Sequence, residues 1–361
     1  MKKIVFGITN LNIGGAERVL VDLVNQLKDQ YEITIFTVYG SGDLEVELNS
    51  KTKRITLIKK KYEEMSLLRK KLMSMIFSSK LMLKFIFNLY IKNKYDTEVA
   101  FLEGPITSLF ANSSKASKIA WVHTNLVKHL HSSYRINQYQ ASYSKYQQLI
   151  FISQDALDGF NQLFNLDINK KIIHNYMNTK NIVKKSLAFR VKELDRNTIN
   201  FVSVCRLVPA KGMDRLILIS KKLIEDGYNH KIYIVGDGPE HQNLKDLIKS
   251  LNLKDHFLLL GQKENPYPYI KKSDYFILPS LYEGYGMVLI EAMCLGKSII
   301  TTNTGAIEAL KDYHNKLVAD NSFEGLYQAM KTVINGKYKF DQANDFNYDN
   351  KTIIDEVTSI L

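Results

Sequence analysis

The stretch Tyr275–Thr301, YFILPSLYEGYGMVLIEAMCLGKSIIT, decides the fold. Tyr275 to Leu278 is a short apolar run closed by Pro279 and Ser280, the punctuation of a strand end. Gly284 and Gly286 permit a tight turn and let another group come close to the backbone. Met287 to Leu295 is apolar except for Glu291, Gly296 ends that helix, and Ser298 begins the next β-like run. Strand, Gly-rich loop, helix, strand is one unit of an open α/β sheet, where ligands gather outside the carboxyl ends of the strands. Glu283 stands at that edge. Glu291 is a carboxylate inside an apolar helix, a costly placement unless something pairs with it. The plainer alternative is a glutamate that snorkels or meets a lysine.

The same alternation extends on both sides. Before the stretch, strands are expected at 200–204, 230–235 and 256–260, and helices at 213–226 and 240–251. The turn Gly236-Asp237-Gly238-Pro239 offers a close-approach backbone through Gly238. In the N-terminal half, strands are expected at 3–8, 33–38, 97–102, 118–122 and 149–153, with KKIIHN at 170–175 leading out. The Gly14-Gly15 pair opens a helix over 16–27, a turn with room for an anion at Gly15. It lacks the GxGxxG spacing of a dinucleotide fingerprint. Two parallel α/β sheets facing one cleft follow. The expected division is an acceptor-binding domain over 1–177, a polar linker at 178–197, a second domain over 198–340, and a tail or helix over 341–361 that can pack back on the first domain.

The chain has 361 residues and a formal net charge of +12, which points to an anionic partner. Residues 59–94 alone hold ten Lys/Arg against two Glu, a local +8. That region reads as helical and amphipathic, with Leu68, Leu72, Met75 and Ile76 in one stripe, continued by Met82, Phe85, Ile86 and Leu89. Either it packs on its own sheet with a solvated basic face, or Arg69, Lys70, Lys71, Lys80 and Lys84 rest on anionic lipid; the two are compatible. No apolar run approaches the length that spans a bilayer, and the N-terminal MKKIVFGITN reads as a first strand, not a signal peptide. No aromatic-basic interleaving of a nucleic-acid module is present, so nucleic acid is not an expected partner. Cys205 and Cys294 stand far apart and form no disulfide framework, which fits a reducing cytosol. His123, His129 and His131 match no common zinc spacing.

Arg206 and Lys211, five apart in a turn before a helix, can converge on one diphosphate. Glu283 and Glu291 suit sugar or ribose hydroxyls, and no D-x-D triplet is present to hold a divalent metal. Arg206-x4-Lys211-Gly212, the GDGP turn, and Pro279-Ser280-x2-Glu283-Gly284-x-Gly286-x4-Glu291-Ala292 together resemble the retaining family 4 glycosyltransferases of GT-B fold. The resemblance covers about 200 to 310 and departs from the family pattern at Cys205 and Ala210. It implies that Glu291 binds ribose and Glu283 the donor sugar. The amides of Gly286, Met287 and Val288 hold sugar and phosphate, and Arg206 and Lys211 neutralise the leaving diphosphate. It places His123 near the donor sugar.

It further implies metal-independent transfer from a nucleotide-diphosphate sugar, UDP favoured, with no cofactor, to a lipid-linked or glycan acceptor. The Asn-, Lys- and Ile-rich composition associates this with bacterial surface polysaccharide, made at the inner face of the membrane. The alternatives are a nucleotide-sugar epimerase on the same fold and a basic nucleic-acid-binding protein.

Overall fold

The structure, a computed structural model, describes residues 1–113, 117–341 and 346–361. The chain forms two compact units, Met1–Met177 with Asp349–Leu361, and Asn178–Tyr348. Residues 342–345 of the expected tail lie outside the described residues.

The first unit is built on β1 (Lys3–Ile8), β2 (Glu32–Tyr39), β3 (Lys53–Ile58), β4 (Thr97–Ala100), β5 (Lys118–Val122), β6 (Gln148–Phe151) and β7 (Asn169–Ile172). They pair in parallel in the order β3-β2-β1-β4-β5-β6-β7. The central strands are buried on both faces, which is why they read as unbroken apolar runs. Chain order reverses between β1 and β4, so the loops after those two strands flank the switch point where ligands bind in such sheets.

The second unit holds β8 (Asn200–Val204), β9 (Lys231–Val235), β10 (Phe257–Leu259), β11 (Tyr275–Leu278), β12 (Ser298–Thr302) and β13 (Lys316–Ala319). Their order is β10-β9-β8-β11-β12-β13, again all parallel. Here the switch point lies between β8 and β11. Both units are Rossmann-like, the domain pair of the GT-B fold.

Two segments differ from the sequence expectation. Residues 178–197, read as a linker, open with helix Thr179–Ser186, capped by Asn178, whose side-chain oxygen accepts from the Asn181 amide at 3.1 Å. The helix buries Ile182 and packs on helices Tyr267–Lys272 and Met287–Cys294 of the second unit. Its only two apolar residues, Ile182 and Val183, are adjacent and give no helical period.

The basic region is two helices, Leu67–Ser78 and Lys80–Tyr90, bent by 87°. Ser79 breaks them and caps the second, its hydroxyl accepting from the Met82 amide. The residues packed inward are Met73, Leu83, Ile86 and Phe87. Leu68, Leu72 and Met75 of the apolar stripe are exposed, so that part of it does not pack on the sheet.

The C-terminal helix, Asn350–Ile360, joins the first unit, as the sequence expectation allows. Asn350 donates to the Met177 carbonyl at 2.7 Å, and Lys171 pairs with Glu356 at 3.4 Å.

Candidate functional site

The loops that leave β8 and β11 are neighbours because the strands are. The Leu281 amide donates to the Ala210 carbonyl at 2.8 Å, and Arg215 donates to the Pro279 carbonyl and to Asn321 Oδ1, each at 2.9 Å. Gly212 sits in the left-handed region at φ +63°, where a Cβ would come within 2.4 Å of the Pro279 oxygen. This stitching brings Lys211 Nζ onto Glu283 Oε2 as an ion pair, both side chains largely buried. Ser280 Oγ donates to the same oxygen at 3.4 Å. Arg206 lies exposed on the same loop, on the solvent side.

Gly286, at φ +69°, caps helix Met287–Cys294 at its N-terminus, so the 286–288 amides point out of the helix start toward that edge. A Cβ at Gly286 would fall 2.9 Å from Ala306 Cβ. One turn into the helix, Glu291 accepts from the Tyr267 hydroxyl at 3.3 Å. Tyr267 was not foreseen; its only signal was its place in the Pro-rich turn after β10.

Gly238 has a different use from the one expected. A Cβ there would meet the Leu207 carbonyl oxygen at 2.3 Å, and the Leu207 amide donates to the Asp237 carbonyl at 3.0 Å. Its close approach is to the Arg206 loop, which it supports from beneath. A cavity of about 530 Å³ lined by Asp274, Tyr275, Lys297 and Phe340 opens at the opposite, amino-terminal edge of this sheet and holds none of these residues.

His123 and Gly15 belong to the first unit. His123 follows β5, is buried, and lies 4.8 Å from the Phe101 ring between centroids. Burial pushes its pKa down to about 4, against a hydrogen bond to the Phe101 backbone. Nε2 is buried with no hydrogen-bond partner among the described residues. The hydrogen-bond pattern therefore assigns the proton to Nδ1 and leaves Nε2 with a lone pair able to accept from a hydroxyl.

Behind His123 stands Glu103, which sequence reasoning missed. It follows β4 at the switch point, and its Oε1 accepts from the His123 amide, the Thr124 amide at 2.8 Å and the Thr124 hydroxyl at 3.3 Å. Burial raises its pKa, and these donors oppose the rise. At the Gly14-Gly15 turn, space beside Gly15 is open. The Glu17 carboxylate lies back over Gly14, where a Cβ would come within 2.2 Å of it. That acid, its pKa raised by burial, occupies the helix start where an anion was expected. Among the described residues, no group of three or more His, Cys, Asp or Glu is placed to hold a metal ion.

The folded pair of parallel-sheet domains is shared with solved GT-B structures. Anabaena HepE in complex with UDP superposes with a TM-score of 0.76 over 99% of both chains, at 18% identity. Residues 184–352, which include Arg206, Lys211, Glu283 and Glu291, match the family described as glycosyl transferases group 1.

An uncharacterised glycosyltransferase of Methanocaldococcus jannaschii is 31% identical over 57% of this chain, a match spanning about half (53%) of that protein. A Campylobacter jejuni protein is 29% identical over 66% of this chain and 67% of its own length. Its name is N-acetylgalactosamine-N,N'-diacetylbacillosaminyl-diphospho-undecaprenol 4-alpha-N-acetylgalactosaminyltransferase.

Proposed function

We propose that the protein is a retaining, metal-independent glycosyltransferase of the group 1 type, moving a sugar from a nucleotide diphosphate to a glycan or lipid-linked acceptor in surface-polysaccharide synthesis. The observation that carries this is the meeting of Lys211, Glu283, the 286–288 amides and Glu291 at the switch point of the second sheet. UDP is the favoured carrier because the HepE complex holds it, and the Campylobacter relative is named for a diphospho-undecaprenol acceptor.

As the sugar–phosphate bond loosens, negative charge grows on the diphosphate. Lys211, Arg206 and the helix-start amides stabilise it in the transition state more than in the ground state. Loss of one such group costs roughly 3 kcal/mol, about a hundredfold in rate. Glu291 holds ribose hydroxyls, Glu283 the sugar, and His123 Nε2 accepts from a sugar hydroxyl. The enzyme works in the cytoplasm against the inner membrane face, with Arg69, Lys70, Lys71, Lys80 and Lys84 attracted to anionic lipid.

The test is a thermal-shift panel of UDP, GDP and ADP with and without chelator, followed by sugar transfer to a membrane extract. A nucleotide at about a hundred times its Kd adds roughly 2.7 kcal/mol of stability. Stabilisation by UDP that survives chelation, and loss of transfer in Lys211→Ala and Glu291→Ala, support the proposal. Full transfer in both variants sinks it.

A further inference from the structure

Helices Leu67–Ser78 and Lys80–Tyr90 are apolar on two faces at once. One face packs into the first domain through Met73, Leu83, Ile86 and Phe87. The other presents Leu67, Leu68, Leu72 and Met75, then Leu81, Phe85 and Leu89, exposed over 53% to 84% of their surface. Helical spacing sets Leu68, Leu72 and Met75 in one outward stripe, and Leu81, Phe85 and Leu89 in another. A helix apolar all round is normally covered on both sides, and a patch this continuous marks an interaction surface.

The surrounding charge says what covers it. Arg69, Lys70, Lys71, Lys80 and Lys84 lie on the same two helices, within a segment of net +8. A second copy of this chain would bring +8 against +8, so self-association is opposed. An anionic bilayer satisfies both features, with phosphates for the cations and acyl chains for the leucines. The helices have 12 and 11 residues, roughly 18 and 16 Å, short of the roughly 30 Å of a bilayer core. No single helix among the described residues is long and apolar enough to cross a membrane.

We infer that this bent pair is a wedge that lies in the bilayer interface and inserts Leu68, Leu72, Leu81 and Phe85 at the acyl boundary. The inference rests on the membrane reading above and deepens it: that reading needs charge alone, whereas insertion needs the apolar faces.

The experiment uses the full chain and vesicles of phosphatidylcholine with or without phosphatidylglycerol. The chain has one tryptophan, Trp121, which is buried, so a Phe85→Trp variant adds a reporter over a fixed background. Insertion is supported if its emission shifts to the blue on anionic vesicles and is quenched by acyl-chain bromine. It is further supported if Leu68→Ser/Leu81→Ser/Phe85→Ser lowers vesicle binding about tenfold or more. Flotation of wild type with no blue shift and no loss in the triple variant overturns insertion and leaves charge attachment standing. Failure of wild type to float overturns the membrane reading itself. A concentration-dependent dimer that vesicles do not dissociate overturns the lipid assignment.

Discussion

Lys211 and Glu283 are 72 residues apart in sequence and ion-paired in the folded chain. The proposed donor site is therefore pre-assembled, with its cation held by its own acid. A diphosphate arriving at Lys211 competes with Glu283, and the displaced carboxylate is freed for sugar hydroxyls. The two single variants are expected to differ in kind. Lys211→Ala lowers turnover about a hundredfold and abolishes the UDP melting shift. It also lowers stability by about 1–3 kcal/mol, because a largely buried carboxylate loses its partner. Glu283→Gln frees Lys211, so UDP stabilises it at least as well as wild type while transfer falls. Equal loss of UDP binding in both variants would contradict the competition.

The pair depends on Gly212, which no other residue replaces. Its φ of +63° and the Pro279 oxygen 2.4 Å from a built Cβ make alanine strained twice over. Gly212→Ala is expected to lose about 2–4 kcal/mol. Gly261, also left-handed at φ +71° but with open space beside it, provides the control. Gly261→Ala carries only the backbone term, about 1–2 kcal/mol. Denaturant midpoints separate the two.

Glu103 positions His123 through the backbone, not through the ring. Glu103→Ala removes the acceptor of the His123 and Thr124 amides and is expected to cost about 2 kcal/mol in stability. Transfer should fall about tenfold or more, because the Nε2 lone pair loses its aim. Glu103→Gln keeps a carbonyl oxygen for the amides and should recover most of both. UDP stabilisation should be unchanged in wild type and both variants, since the groups proposed to bind the diphosphate belong to the other domain; a change would show that the loss is general.

The second unit was legible because each element carries its own punctuation: Pro279-Ser280 after the strand, Gly286 before the helix, Gly296 after it. What could not be read is whatever depends on strand order. Lys211 meets Glu283 because β8 lies beside β11, and Glu103 meets His123 because β4 lies beside β5; no spacing along the chain encodes either adjacency. The basic helices are a different case. An apolar residue falls every three or four positions, yet with apolar residues on two faces the period does not say which faces in. Of the residues buried there, only Ile86 lies in the stripe read from the sequence. Helix Thr179–Ser186 and Tyr267 show the opposite case, where packing across elements orders segments with little local signal.

The pH dependence follows from two histidines held neutral by burial. The pKa values of His123 and His230 are both pushed down to about 4 from an ordinary value near 6.5. His230 is fully buried, with Nε2 2.9 Å from Ser220 Oγ and Nδ1 2.9 Å from the Tyr228 carbonyl. Since the unfolded chain takes up these protons first, stability is complete above about pH 6.5 and is lost as pH falls toward 4. Each histidine contributes about 3 kcal/mol to that loss. His230→Gln should flatten the acid limb of the melting curve by about that amount without changing transfer. His123→Gln should flatten it similarly and also lower transfer, because the amide cannot reproduce the Nε2 lone pair at the same place. In wild type, the transfer rate should show no inflection from His123 between pH 5 and 8. A step near pH 6.5 that disappears in His123→Gln would mean that the ring is solvated and that its Nε2 is not the acceptor inferred from Phe101.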